Sequence, residues 1–257
     1  MNELANRVAL ITGGASGIGK ATIKKFIGYG AAVLCLDIDR ESGEKLIDEL
    51  HPMDRERMKF IHGSVLDPTA ITKALDACVS AFGKVDTLVN NAGIFVMRGI
   101  EGTREEWLRS LEGNVIAYAM TAKEVAPKMM DAGGGSIVNV CSISAHVAQD
   151  KFWTYSSAKG AVHTLTKCMA LDFAPAIRVN SVSPGTIWTE SNRDFMEREF
   201  GLSRSAADAA SHVGGKHILQ RCGDPSEVAE AISFLASNRA SFITGADLLV
   251  DGGYTAI

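Results

Sequence analysis

A phenol and an ammonium stand four residues apart at Tyr155 and Lys159, in the run Phe-Trp-Thr-Tyr-Ser-Ser-Ala-Lys, and Ser142 lies thirteen residues upstream of the tyrosine. On a helix, positions i and i+4 share a face, so the lysine can lie beside the tyrosine. The chemistry open to such a group is proton transfer. A tyrosine titrates at about 10 and is a poor base at neutral pH, but a neighbouring cation favours the phenolate and draws its pKa toward the working range. Taken alone, such a pair is more often two solvated neighbours on a helix surface. The elements that would position it must decide.

Short apolar, β-branched runs at 8–12, 32–37, 59–63, 87–90, 136–140, 178–182 and 247–250 read as strands, bounded by Gly, Asn, Asp or Pro. The first few barely alternate, as expected of parallel strands covered on both faces. Segments of helical period fall between them at 19–29, 41–50, 68–82, 104–130, 155–174 and 225–236. The Asp-Pro pairs at 67–68 and 224–225 offer an N-cap followed by a proline tolerated in the first turn. This alternation predicts an α/β chain of right-handed βαβ units: a single domain, residues 1–257, with a doubly wound, seven-stranded parallel sheet flanked by helices on both faces. The polar stretch 191–218 is expected to be an irregular insert serving as a substrate lid.

The 257 residues are 46% hydrophobic and 22% charged, enough for a large core, and the net charge of −4 gives no electrostatic reason to expect nucleic acid or an anionic membrane as partner. Five widely spaced cysteines without a Cys-x-x-Cys fit thiols in a reducing compartment. The N-terminal residues lack a basic stretch followed by an apolar core, and no apolar run approaches membrane-spanning length. A cytoplasmic location is expected. No His, Cys and carboxylate cluster shows metal-ligand spacing, so no metal is expected.

The first strand runs into Thr12-Gly-Gly-Ala-Ser-Gly-Ile-Gly-Lys-Ala21. Glycines permit close backbone approach, and the helix that begins there presents free N–H groups to an anion, best a pyrophosphate. Gly14 to Lys20 nearly matches a nucleoside-triphosphate loop, but Ala21 stands where a magnesium-binding hydroxyl is needed. The dinucleotide reading instead asks for an acidic residue at the end of the second strand, and Asp37 is there. A carboxylate at that place accepts both adenosine ribose hydroxyls of NAD and repels a 2′-phosphate. Ser16, Ile18 and Ile38 supply no cation, and Arg40 is expected to be solvated, so NAD is favoured over NADP.

With these residues in place, the chain resembles the short-chain dehydrogenase/reductase family over essentially its whole length. The likeness rests on Thr12, Gly13, Gly17 and Gly19 after strand one, Asn-Asn-Ala-Gly at 90–93, Asn114, Ser142, Tyr155 with Lys159, Pro184-Gly185, and the glycine-rich tail at 252–253. It departs at Ser64, where an Asp is common, at the Cys-Ser-Ile-Ser-Ala run around Ser142, and in a short 172–177 connection. The resemblance implies a Rossmann fold and reversible hydride transfer between a nicotinamide and a secondary alcohol or ketone. Tyr155 is then the acid/base, Lys159 lowers its pKa and holds the nicotinamide ribose, Ser142 binds the substrate oxygen, and Asn114 holds a relay water.

Cofactor contacts are expected from Gly13, Ser16, Gly17, Ile18, Gly19, Asp37, Ser64, Val65, Asn91, Gly93, Pro184, Gly185, Ile187 and Thr189, besides Tyr155 and Lys159. Substrate-side candidates are Ser144, His146, Gln149, Trp153 and Trp188. The expected substrate is a small polyol, sugar or cyclic alcohol, with a 3-oxoacyl-type ketoreductase or a non-catalytic NAD-binding sensor as alternatives. Family likeness suggests a homotetramer packed through the helices at 104–130 and 155–174.

Overall fold

The computed structural model describes residues 3–256. Seven strands form one parallel sheet in the order β3-β2-β1-β4-β5-β6-β7: β1 Val8–Thr12, β2 Ala32–Asp37, β3 Met58–His62, β4 Thr87–Asn90, β5 Gly135–Val140, β6 Ile177–Pro184 and β7 Asp247–Val250. The near-continuous apolar runs of the inner strands follow from cover on both faces. Ala9 and Ile11 of β1 pack toward α1 (Gly17–Gly28), α2 (Arg40–Glu49) and α9 (Pro225–Ala236), in a core with Ile23, Phe26, Leu46 and Ile232. Val8 and Leu10 point the other way, toward α3 (Pro68–Phe82), α5 (Ala117–Asp131) and α6 (Trp153–Asp172), against Ile71, Leu75, Val125 and Met129.

Both Asp-Pro pairs open helices as expected. Asp67 accepts the Thr69 N–H at 2.9 Å ahead of α3, and the Glu227 carboxylate accepts the Asp224 N–H at 2.8 Å ahead of α9. Two elements differ from expectation. The single helix read over 104–130 is two, α4 (Arg104–Leu111) and α5, joined by a π-helical turn at Glu112–Ile116. Hydrophobic period does not reveal one wide turn inside an otherwise helical run. The 191–218 segment is not irregular: it contains most of α7 (Glu190–Phe200) and all of α8 (Arg204–Ala209). These short helices close on a small core of Met196, Ala207, Val213 and Cys222, against which Trp188 packs. Among the described residues, no helix is long and apolar enough to cross a membrane.

Candidate active site

Strand order reverses between β1 and β4, and ligands of such sheets bind in the crevice beyond the strand carboxyl ends at that point. The glycine turn forms one wall. Thr12 Oγ1 accepts the N–H groups of Asn91 and Ala92, both at 3.1 Å. Asn91 Nδ2 in turn donates to the carbonyls of Thr12 at 3.0 Å and Gly13 at 2.7 Å. The Asn91 amide, expected at a cofactor, is therefore committed to pinning the turn onto β4.

Gly17 has φ +52, and a Cβ on Gly19 would stand 2.1 Å from the Gly13 carbonyl oxygen, so only glycine lets α1 begin so close to the turn. The Gly17 N–H donates to Glu190 Oε2 at 3.0 Å. A carboxylate thus accepts at the start of α1, where free N–H groups and the helix dipole favour negative charge. Ser16 stands exposed at the N-cap position of α1 with its hydroxyl making no capping bond, and Ile18 packs on the core beneath. Asp37, at the end of β2, accepts the Ala15 N–H on Oδ2 at 2.8 Å and the Asp39 N–H on Oδ1 at 2.9 Å, and each oxygen keeps further acceptor capacity.

Lys20 does not serve the turn: its Nζ is 3.0 Å from Glu49 Oε1, so the triphosphate-loop reading loses its cation as well as its metal ligand. Ser64 and Val65 follow β3, half-buried, and Gly93 lies exposed after β4. The residues present therefore fit a dinucleotide: an anion cradle on α1, a carboxylate for the ribose, and a free rim between them.

The catalytic candidates converge at the end of β5. Tyr155 and Lys159 both lie on α6, which begins at Trp153, and both side chains are buried. Lys159 Nζ stands 5.7 Å from the Tyr155 ring centroid and 5.3 Å from that of Tyr118, and it donates to the Val140 carbonyl at 2.9 Å. Tyr118 was not singled out in the sequence. It sits behind the lysine and shares the same carbonyl through its own hydroxyl at 3.1 Å.

Asn114 hangs from the π-helical turn, where its Nδ2 donates to Ile94 O at 2.8 Å and Ser110 O at 2.9 Å. Its Oδ1 is buried with no protein partner. A Cβ placed on Gly93 would lie 2.9 Å from that oxygen and 3.9 Å from Lys159 Nζ, so amide and ammonium face one small space beside Gly93.

The electrostatics depart from expectation. Burial pushes the Tyr155 phenol above its ordinary value, opposed by a hydrogen bond with Ser142 and reinforced by the Cys141 thiol. The ammonium meets the face of the ring and the Val140 carbonyl, and burial is the largest influence on the phenol. Burial also lowers Lys159 itself from 10.5 to about 8, with Cys141 opposing.

A lysine so held costs the cofactor-free chain about 3 kcal/mol at neutral pH. The sign follows from proton counting: between about 8 and 10.5 the unfolded chain binds more protons than the folded one, so this penalty fades as pH rises and is complete below about 8. Lys159→Met should therefore melt several degrees higher than wild type at pH 7, with Tyr118 still serving the Val140 carbonyl. The gap should narrow as melts are repeated up to pH 9.5, and a gap that ignores pH, or a less stable variant, would refute the cost.

Around the tyrosine the structure adds an aromatic wall. Phe95, 66% exposed, stacks on the Tyr155 ring at 5.3 Å between centroids, and Phe152 meets its edge at 6.3 Å. Neither had a sequence signal beyond lying near a motif. The Ser142 hydroxyl donates to Ser144 Oγ at 3.1 Å, and Ser144 Oγ donates to Gln149 Oε1 at 2.5 Å, so these three candidates form one chain of polar groups.

Trp153 is exposed at the start of α6. Trp188 lies under the Arg204 guanidinium, 5.7 Å from its ring, within the α7–α8 core. Pro184 ends β6, Gly185 backs onto Asp251, and Ile187 is buried with its carbonyl accepting from Asn192 Nδ2 at 2.9 Å. Thr189 caps α7 through the Asn192 N–H at 3.2 Å, and its methyl faces Gly17 across the crevice. His146 is the candidate turned elsewhere: its Nε2 pairs with Asp247 Oδ2 at 2.8 Å.

A dinucleotide cradle joined to a buried tyrosine, lysine and serine defines a dehydrogenase/reductase acting on CH–OH groups. The family model described as Enoyl-(Acyl carrier protein) reductase matches residues 13–255. The chain is 36% identical over 258 residues to the cyclopentanol dehydrogenase of Comamonas testosteroni, covering 100% of both chains. It is 35% identical to the NADP-dependent (R)-specific alcohol dehydrogenase of Lentilactobacillus kefiri, over 99% of each. The ligand-free aldohexose dehydrogenase of Thermoplasma acidophilum superposes with a TM-score of 0.89 at 34% identity, over 100% of this chain and 96% of that one. The chain belongs to the short-chain dehydrogenase/reductase family, whose members use nicotinamide cofactors.

Proposed function

We propose that the protein is an NAD-dependent dehydrogenase for secondary alcohols carried on a small aliphatic ring. The observation that carries this reading is the Tyr155 phenol set between the Phe95 and Phe152 rings, with the Ser142–Ser144–Gln149 chain as the polar pole. An apolar ring packs on aromatic faces, whereas a sugar would need polar partners for several hydroxyls. The named activity of the Comamonas relative supports the same choice.

A bound nicotinamide supplies the hydride acceptor. Tyr155 takes the hydroxyl proton, and Ser142 donates to the substrate oxygen, where it offsets developing charge. Lys159 in its charged form holds a ribose hydroxyl and favours the phenolate against the burial that raises it. Asn114 Oδ1 holds a water that leads the proton from the lysine outward. Asp37 receives the adenosine ribose. Arg40 lies exposed on α2 with Nη1 3.5 Å from Glu44, a carboxylate that competes with a 2′-phosphate for its charge, which supports NAD. The segment with α7 and α8 acts as lid, with Glu190 leaving the Gly17 N–H when the cofactor's phosphates arrive. Exposed Leu108, Ile116 and Met120 on the α4–α5 run support a homotetramer.

The test is NADH formation at 340 nm with cyclopentanol, cyclohexanol, ribitol and glucose as substrates, on protein whose mass is read by light scattering. Cyclic alcohols should lead in kcat/KM by at least about tenfold, the discrimination expected from one apolar contact region, in a particle of four chains. Higher efficiency on ribitol or glucose would overturn the ring-alcohol reading, and no turnover on any of them would favour a non-catalytic binding role.

A further inference from the structure

The side chains of His146, His163 and Asp247 meet in a cluster that the dehydrogenase chemistry does not use. One ligand atom from each lies within 4.8 Å of the others. His146 follows the Ser142–Ala145 turn, His163 lies on α6 one helical turn beyond Lys159, and Asp247 opens the edge strand β7. The Asp247 side chain is only 6% exposed. Its Oδ1 accepts from Ser181 Oγ at 2.5 Å, which fixes the carboxylate and leaves Oδ2 pointing at the imidazoles. That oxygen is 2.8 Å from His146 Nε2 and 3.9 Å from His163 Nδ1. The two rings meet edge to face, 5.0 Å between centroids.

Two observations separate this group from an ordinary surface ion pair. His163 Nδ1 is buried yet has no hydrogen-bond partner, a state that costs stability unless something else satisfies it. The geometry also suits a particular ion. Tetrahedral zinc with bonds near 2.0–2.1 Å separates its ligand atoms by roughly 3.3 Å. The two separations from Asp247 Oδ2 lie on either side of that value and all three ligand atoms lie within 4.8 Å of one another, so side-chain adjustments on the order of an ångström would seat the ion. Ser183 Oγ, 3.3 Å from His146 Nε2, or a water can supply the fourth position. Ser181 already provides the outer hydrogen bond that orients the carboxylate ligand.

We propose that His146 Nε2, His163 Nδ1 and Asp247 Oδ2 form a binding site for a divalent zinc-class cation, separate from the catalytic centre. The ion joins three elements: the turn that carries Ser144, the helix that carries Tyr155 and Lys159, and the sheet edge. Its role is structural, and no step of hydride transfer passes through it.

The experiment uses untagged, chelator-treated, full-length protein titrated with zinc(II) by calorimetry and thermal melting, and with cobalt(II) by visible absorption. We expect one zinc per chain and a rise in melting midpoint of roughly 5–10 °C at free zinc near 100 Kd. Cobalt(II) should give d–d bands of a four-coordinate nitrogen and oxygen site, without thiolate charge transfer. His163→Gln should keep its fold by circular dichroism and lose at least about tenfold in affinity, as for removal of one of three ligands. No binding up to 100 Kd-equivalent concentrations of a simple imidazole–carboxylate chelate would overturn the proposal. So would unchanged affinity in His163→Gln, or a thiolate band pointing to the exposed Cys168.

Discussion

Tyr155→Phe should lower turnover by about two to four orders of magnitude, the range attributable to one positioned acid/base, while binding of NADH stays within a few-fold of wild type. The substitution removes one oxygen and little else. The ring stays packed between Phe95 and Phe152 and over Lys159, so the pocket wall and the fold persist. In the proposed roles, Ser142 and Lys159 would remain to bind the substrate oxygen and the ribose. What is lost is the phenol that hydrogen-bonds Ser142, whereas the Tyr118 hydroxyl donates to the Val140 carbonyl. Turnover followed by NADH absorbance and cofactor binding followed by fluorescence separate the two effects. Retained turnover would remove Tyr155 from the role of acid/base, and loss of NADH binding would make its role structural.

Asp37→Ala should move the ratio of catalytic efficiencies, NAD over NADP, by at least about a hundredfold. Two contributions act in the same direction. Losing charge-assisted hydrogen bonds to the ribose costs roughly 1.5–3 kcal/mol with NAD. Removing a fixed negative charge relieves the repulsion of a 2′-phosphate, a like-charge contact worth several kcal/mol where water is excluded. Asp37 also accepts the N–H groups of Ala15 and Asp39, so the variant frees two donors at the mouth of the crevice, and these can themselves meet a phosphate. Steady-state kinetics with both cofactors on wild type and variant decide it. Comparable efficiencies with NAD and NADP in wild type, or an unchanged ratio in the variant, would refute the assignment.

Much of the architecture was legible because parallel strands buried on both faces must be short apolar runs, and because Asp67-Pro68 and Asp224-Pro225 announce helix starts chemically. The order of glycine turn, Asn-Asn-Ala-Gly, serine and Tyr-x-x-x-Lys then located the crevice. Other features depend on space rather than spacing. The i+4 spacing places Lys159 beside Tyr155 but does not encode depth: burial of Tyr155 raises its phenol, and burial of Lys159 lowers its ammonium. Phe95 belongs to the wall only because the chain after β4 folds back over α6. Glu190 reaches the Gly17 N–H across 173 residues, and Asp247 meets His146 across 101, so neither partnership leaves a local pattern. The two short helices at 190–209 lacked enough turns for their apolar side to stand out from polar surroundings.

The π-helical turn at Glu112–Ile116 carries a lesson for anyone who would reshape this scaffold. One residue more than a regular helix accommodates is stored there, and each residue of an α-helix turns the chain by about 100°. Everything downstream is therefore dialled into position by that surplus, including the Tyr118 side chain that backs Lys159. An idealised backbone running straight through 104–131 would look better by every local measure and would swing Asn114 and Tyr118 to the wrong azimuth together. The irregularity is a phase setting, and smoothing it away would detune two side chains at a single stroke.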